Sequence, residues 1–415
     1  MYDKEKETLT NVWDKNYPIE KSVYLNNDKA IFINESNLKK PKNKLLMLDL
    51  FCGAGGFSVG CKWAGFEPVF GIDYLKPAMD TWIHNHPTAL GCLGDIRNVT
   101  PKQVHEKLKL KGIEHIHLIT GGVPCQGFSL ANRKHNDDDE RNFLFLEYMK
   151  YVQEFSPDYI ILENVSGMRS TAGGKFENNI KTYMESLGYN TTIKLVNAAE
   201  YGVPQTRMRL LFVGVKKDSG LADEYVFPEG NFVKNPLKGS GKKKFRTVAD
   251  AISDLPELDN NERKNSYDKR TETEYQKMMK GEIDILIQEK PTKLSNHVAP
   301  NHPQSTIDKI ANTKPGEPMY PKFKQRIRLS LDSPSPTQLA GGIRPQFQFG
   351  HPTQPRGLSI RERARLQSFP DSYEFLGGIT QERVQTGNAV PPLLIYEITK
   401  SISEDIHRNN FNNQL

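Results

Sequence analysis

Cys125 stands in the stretch Gly121-Gly122-Val123-Pro124-Cys125-Gln126-Gly127-Phe128-Ser129, a thiol behind a proline and between glycines. The run before it, Ile116-His117-Leu118-Ile119-Thr120, has the length and β-branched content of a buried strand. Gly-Gly-Val-Pro continues neither a strand nor a helix easily, so the cysteine falls on a loop at a strand's carboxyl end. That edge is where open α/β sheets bind ligands, and a thiolate placed there is a covalent nucleophile. Taken alone, the same thiol reads equally well as a buried residue of a tight turn.

Two further groups point to the same edge. The apolar run 158–162 predicts another buried strand, and it ends in Glu163-Asn164-Val165, a candidate acid or a salt-bridging carboxylate. Tyr201-Gly202-Val203-Pro204-Gln205-Thr206-Arg207-Met208-Arg209 leads into a strand over 210–215. Extended geometry puts Gln205, Arg207 and Arg209 on one side, where two guanidiniums and an amide suit a phosphate or a base carbonyl. A solvated basic face is the competing reading. The polar, acidic stretch 132–141 reads as a mobile lid after the cysteine.

These side chains need a scaffold, and the chain supplies one from Leu45 onward. Residues 45–51 read as a buried strand, and Cys52-Gly53-Ala54-Gly55-Gly56-Phe57-Ser58-Val59-Gly60 as a glycine-rich turn into a helix. Glycines allow close backbone approach to a ligand, and the helix start offers free N–H groups. A second strand over 68–73 ends in Asp73, twenty residues after Gly53, where an acid can grip ribose hydroxyls. Ser58 at the third glycine position departs from GxGxxG and weakens a dinucleotide reading. Asp95 could accept from an adenine amino group with Ile96 against the ring, or simply cap a helix. Thr100-Pro101 opens a helix to about residue 110, and helices are expected over 142–155 and 175–187, with a strand over 189–197.

Composition sets the outer limits. The chain has 415 residues, 37% hydrophobic and 26% charged, with a net charge of +6, and its pI is about 8.8 with a mean hydropathy of −0.61. This permits a polyanionic partner without demanding one. Cys52, Cys61, Cys92 and Cys125 show no CxxC spacing, and no signal peptide or membrane-length apolar run is visible, so a reducing cytoplasm is expected. Residues 1–43 read as an extension whose aromatics Trp13, Tyr17, Tyr24 and Phe32 favour docking. From Lys216 the chain turns polar, with Lys238, Lys242, Lys243, Lys244 and Arg246 close together; a lysine run near a catalytic cleft would neutralise phosphates. Ser359 caps a helix to about residue 366 with Glu362 three residues on, and an apolar helix is expected over 393–406.

Six blocks in order, DLFCGAGGFS (49–58), GVPCQGFS (122–129), ENV (163–165), QTRMR (205–209), RERARLQSFPDSY (361–373) and GNAVPP (387–392), make the chain closely resemble the cytosine-5 DNA methyltransferases over residues 45–406. The resemblance implies an α/β fold: a Rossmann-like S-adenosylmethionine-dependent methyltransferase sheet with helices on both faces, plus a smaller inserted target recognition domain. It divides the chain into an extension (1–43), a catalytic domain (44–215), the recognition domain with hinge (216–382) and a segment completing the catalytic domain (383–415).

It also implies roles. Cys125 attacks carbon 6 of a flipped-out cytosine, Glu163 protonates N3, and Arg207 and Arg209 grip the base or nearby backbone and favour the thiolate. S-adenosylmethionine is the cofactor, held by Phe51, Gly53, Gly55, Asp73, Tyr74, Asp95, Ile96, Leu144, Asn388 and Val390; Tyr74 stands where many relatives carry tryptophan. Gln126, Ser129 and Gln205 contact the substrate, and no metal is implied. The partner is double-stranded DNA. The expected setting is a monomer, cytoplasmic and nucleoid-associated, in a prokaryotic restriction-modification system whose endonuclease is a separate protein. A tRNA cytosine-5 methyltransferase, a non-catalytic DNA binder and a nicotinamide-dependent oxidoreductase are the alternatives. Intact Cys125, Glu163, Arg207 and Arg209 argue against the last two.

Overall fold

Alternation along the central strands divides the core into two layers. Met47, Ile161, Leu211 and Val213 face one cluster, and their neighbours Leu48, Ile160, Leu210 and Phe212 face the other. Strands buried on both faces read as continuous apolar runs, which is why they are visible in the sequence. The computed structural model describes residues 30–123, 144–168, 175–283, 286, 290–340 and 348–412. Cys125, Gln126, Ser129, Trp13, Tyr17, Tyr24 and the expected lid lie outside the described residues.

The sheet strands are β1 (Ile31–Ile33), β2 (Leu45–Leu50), β3 (Phe66–Asp73), β4 (Leu90–Leu93), β5 (Leu118–Gly122), β6 (Tyr159–Val165), β7 (Tyr189–Asn197) and β8 (Met208–Lys216). Their order is β1-β4-β3-β2-β5-β6-β8-β7. β4, β3, β2, β5 and β6 run parallel, and β1, β8 and β7 are antiparallel to their neighbours. The topology reverses direction at β2, so the carboxyl ends of β2 and β5 flank a switch point, the crevice where doubly wound sheets bind ligands.

β1 corrects the expected boundary at residue 43. Ile31, Phe32 and Ile33 pair with Leu93, Cys92 and Gly91, so the sheet begins inside the supposed extension. Lys107 Nζ lies 4.7 Å from the Phe32 ring centroid. Three residues, one of them an exposed Ile31, are too few to show a strand period.

Helices α1 (Gly56–Trp63), α2 (Lys76–Asn85), α3 (Pro101–Lys109), α4 (Leu144–Phe155) and α5 (Lys175–Ser186) join the strands. Thr100 caps α3 with Gln103 answering it, as Thr-Pro at the start foretells. Beyond β8 come two short pairings, β9 (Phe232–Val233) with β10 (Lys243–Lys244) and β11 (Ile327–Arg328) with β12 (Phe349–Gly350). The helices α6 (Val248–Ile252), α7 (Glu274–Met279), α8 (Gln304–Ala311), α9 (Ile360–Leu366), α10 (Ile379–Asn388) and α11 (Pro392–Asn412) complete the chain.

α11 returns to the sheet and lies against α1 at Gly56 and Gly60. A side chain at Gly56 would strike the Val390 carbonyl, and one at Gly60 would strike the Pro392 carbonyl and Ile395. Only glycine lets the two helices approach this closely.

A buried charge network ties α9 to the residues between β8 and β12. Arg365 pairs with Asp371 through Nε at 2.5 Å and Nη2 at 2.6 Å, and with Asp254 at 3.2 Å. Lys280 adds a second cation to Asp254 at 3.1 Å, and Tyr267 donates to Asp371 at 2.6 Å. Arg361 donates to Ser295, Pro370 and Tyr373. Glu362 accepts from both Nη atoms of Arg356 and is held well below the usual carboxylate range, the Arg356 charge and hydrogen bonds outweighing a burial that works the other way.

Candidate active site

Glu163 and Arg209 meet because β8 re-enters the sheet at the edge where β6 leaves it. Glu163 is in register with Leu211 and Val165 with Arg209, so Glu163 and Arg209 are diagonal neighbours on one face. Arg209 Nε lies 2.5 Å from Glu163 Oε1, and Nη1 donates to the Met208 carbonyl at 2.7 Å. Both are nearly buried, at 9% and 8% exposed. Burial lowers the Arg209 pKa, and the Glu163 charge opposes that drop.

The second carboxylate oxygen, Oε2, lies beside Gly122, where a Cβ would meet it at 3.4 Å. Gly122 is the last residue of β5 and is in register with Glu163. Asn164 Nδ2 donates to the Val123 carbonyl at 3.2 Å, fixing the chain where it departs for Cys125. Three extended residues span about 10 Å, which bounds how far Cys125 can stand from Gly122.

Arg207 and Gln205 serve differently from the expectation. Arg207 is 1% exposed and donates to the carbonyls of Gln338 at 3.0 Å and Gly387 at 2.8 Å. Gln205 is fully buried: its Nε2 donates to Gln367 Oε1 at 2.6 Å and the Leu366 carbonyl at 3.2 Å, and its Oε1 accepts from the Gln338 amide at 3.1 Å. The expected shared face is broken because β8 starts only at Met208. In this structure the Gln205 amide is engaged within the chain, and Arg207 ties residues 338 and 387 to the start of β8.

The glycine loop forms the neighbouring half of the edge. Phe51, Gly53 and Gly55 have φ of 56°, 52° and 83°, left-handed values that cost little only for glycine, so Phe51 is the strained member. The Gly53 amide donates to Asp73 Oδ2 at 2.9 Å and the Leu75 amide to Oδ1 at 2.8 Å. Burial raises the Asp73 carboxyl from an ordinary 3.8 to about 6. A Cβ at Gly53 would meet nothing within 4 Å, so the loop has room above it. Tyr74 is 46% exposed, Asn388 is exposed at the end of α10, and half-buried Leu144 starts α4.

The open cradle at Gly53, an acid at the end of β3 and an exposed ring beside it fit an adenosine cofactor. Asp95 takes the second of its two expected roles, as a helix cap, and Ile96 packs inward. Asp95 accepts from the amide, Nε and Nη2 of Arg97, the last at 2.6 Å, and Ile96 is 4% exposed in the core. Burial would raise the Asp95 carboxyl, but Arg97 outweighs it and holds it low. Val390 is buried, with its carbonyl on Gly56.

Sequence reasoning missed the support beneath the loop. Asp49, fully buried in β2, accepts from Ser58 Oγ at 2.5 Å and from Thr120 at 3.0 Å, while Trp82 Nε1 donates to Ser58 Oγ at 2.9 Å. Burial raises Asp49 to about 7. Tyr373 donates to the Ala54 carbonyl at 2.6 Å, bracing the loop from the far end of the chain. Asp49 and Ser58, nine residues apart around the turn, carried the available signal: an acid inside an apolar strand needs a donor.

The described residues contain a His115, His117 and Asp158 group at the opposite, amino edge of the sheet. The Leu46 amide donates to His117 Nδ1 at 3.0 Å. A neutral ring then carries its proton on Nε2, which leaves no lone pair there for an ion.

A doubly wound sheet carries, at its carboxyl edge, an acid-ended strand beside a glycine-rich loop and a carboxylate–guanidinium pair. The model of the C-5 cytosine-specific DNA methylases matches residues 45–404, and the chain belongs to that family. It is 32% identical over 372 residues to the type II methyltransferase M1.HphI of Haemophilus parahaemolyticus, covering 86% of each chain. It is 33% identical over 371 residues to the type II methyltransferase M.NgoFVII of Neisseria gonorrhoeae, covering 88% of each. A solved structure assigned as a DNA modification methyltransferase encoded within an Escherichia coli prophage superimposes with a TM-score of 0.71 at 26% identity, over 88% of this chain and all of that one.

Proposed function

We propose that this methylase modifies cytosine within one short duplex sequence through a Cys125 adduct. The observation that carries the reading is the Glu163–Arg209 pair, set in register with the strand end that leads to Cys125. The Cys125 thiolate forms a sulfur–carbon bond at carbon 6 as the ring's π electrons shift, and Glu163, taking up a proton when the base enters, passes it to N3. Carbon 5 becomes nucleophilic and takes the methyl group. A water then removes the carbon 5 proton, the electron pair re-forms the double bond, the sulfur–carbon bond breaks to release the thiolate, and N3 returns its proton to Glu163. Proton transfer by a positioned acid contributes roughly 10²- to 10⁴-fold.

S-adenosylmethionine supplies the electrophilic methyl when bound. Phe51, Gly53, Gly55 and Asp73 would hold it with Tyr74, Leu144 and Asn388, and Asp95, Ile96 and Val390 would complete that site. Gln126 and Ser129 would support the flipped base. Residues 216–382 would read the duplex, and 383–415 complete the catalytic domain. Among the described residues no helix is long and apolar enough to cross a membrane; the reading is of a monomeric, cytoplasmic, nucleoid-associated enzyme protecting host DNA from a separate endonuclease.

The test is conversion sequencing of genomic DNA from cells expressing the chain or Cys125→Ser. 5-Methylcytosine in one short motif, present only with the unaltered chain, is expected. Unmodified DNA from a chain that still binds S-adenosylmethionine would overturn the DNA reading and turn attention to RNA.

A further inference from the structure

Arg326 is a buried cation with no counter-charge. It is 1% exposed, and its Nε and Nη1 have no hydrogen-bond partner among the described residues. Its guanidinium carbon lies 4.6 Å from the Phe323 ring centroid and 5.5 Å from that of Tyr320. Burial lowers its pKa, with Tyr320 opposing. Its neighbour Arg328 shows the contrast: Nη1 donates to the carbonyls of Ile310, Ala311 and Thr313, and Nε to that of His351. Two guanidinium nitrogens buried without a partner are costly, so the fold retains them where a ligand completes them.

The surroundings point to the ligand. Lys309 Nζ lies 5.3 Å from the Tyr320 ring centroid, Lys322 and Lys324 flank the 43%-exposed Phe323, and none of Lys309, Lys314, Lys322 and Lys324 has an acidic partner among the described residues. Lysines interleaved with aromatic rings around a planar guanidinium match a polyanion bearing in-plane acceptor pairs. The patch is also wired to the catalytic edge. Met319 donates to the Arg326 carbonyl at 2.8 Å, closing a turn that leads into β11, and β11 pairs with β12. Gln348, just before β12, accepts from the Leu339 amide at 2.8 Å and donates to the Thr337 carbonyl at 3.0 Å, and the Gln338 carbonyl holds Arg207.

We infer that Arg326, clamped between Tyr320 and Phe323, reads duplex DNA by donating to a paired acceptor, a guanine edge or a phosphate. This rests on residues 216–382 being the recognition region. The test uses the full chain with S-adenosylmethionine, the motif found by genomic conversion sequencing, and 30-base-pair duplexes carrying that motif or a scrambled one. For Arg326→Met, binding to the motif duplex is expected to weaken roughly 10- to 100-fold, the size of one bidentate contact, while the melting temperature holds or rises because an unpaired buried charge is gone.

A guanine contact shows as loss confined to the motif duplex, with methylation spreading to sites altered at one G·C pair. A phosphate contact shows as equal loss on both duplexes and a salt slope reduced by about one. Unchanged affinity and motif, at any melting temperature, overturn the inference. If Arg326→Met does not fold, the Lys322→Ala/Lys324→Ala double variant decides, and an unaltered affinity and salt slope overturn it. An unmethylated genome with the unaltered chain would instead defeat the reading it rests on.

Discussion

Helix α9 and the turn before β11 both bury arginine, and they do it in opposite ways. Arg361 and Arg365 are fully buried and spend their donors on Asp371, Asp254, Ser295 and carbonyls. Arg326 is 1% exposed and has rings but, among the described residues, no acceptor for Nε or Nη1. The carboxylates divide the same way. Asp371, between two guanidiniums, is held below its usual range although burial pushes it up, whereas Asp73 has only backbone amides and rises to about 6. Within α9 and its partners the buried charges are matched, whereas Asp73 and Arg326 have no opposite charge against them among the described residues.

The largest effect expected is at the pair that belongs to both groups. Glu163→Gln leaves Arg209 without its carboxylate and N3 without its acid, so kcat should fall about 10²- to 10⁴-fold with DNA and cofactor affinity near normal. Single-turnover methylation of a motif duplex measures it, and near-normal turnover removes Glu163 from the mechanism.

Next comes Arg365→Met, which takes a shared cation from Asp371 and Asp254 and leaves them only Arg361 at 3.7 Å and Lys280 at 3.1 Å in the core. Breaking a buried pair costs about 3–5 kcal/mol, read as a lowered denaturant midpoint. Together with a steady or raised melting temperature for Arg326→Met, this would sharpen the contrast; equal losses at both positions would erase it.

The smallest effect is a pH dependence. An ionised Asp73 accepts from a ribose hydroxyl more strongly than a neutral one, so cofactor affinity should weaken as pH falls below about 6, by at most about tenfold per pH unit. Stability runs the other way. A folded pKa raised above 3.8 means that the native state keeps a proton the unfolded chain loses, so this contribution favours the fold at low pH and fades as pH rises from 3.8 to about 6. Calorimetric titration of the cofactor at pH 5 and pH 7 checks it, and Asp73→Asn should be flat.

The sheet was legible because its strands are apolar on both faces. The strand 189–197 matches residue for residue, and the expected 210–215 strand extends only to Met208–Lys216. Ser359 and Glu362 form the anticipated capping box. Glu163 and Arg209 were legible as a pair of types at an edge, though their ion pair depends on β8 running antiparallel, which no local pattern encodes. The roles of Gln205 and Arg207 were not legible, since their partners lie 131 to 180 residues away. Nor was the fate of the basic cluster near Lys243. Lys242 pairs with Glu229, Lys243 with Glu274, and Arg246 stacks on Phe232 and Tyr275, so its charge is largely answered within the fold.

The close seat of α11 on Gly56 and Gly60 has a consequence in the order of synthesis. The glycine loop leaves the ribosome early, yet the surface that braces its helix, from Val390 to Ile395, is made more than three hundred residues later. A nascent chain carries Glu163 and Arg209 long before that surface exists. The helix after the glycine loop therefore gains that brace only once translation has passed Ile395.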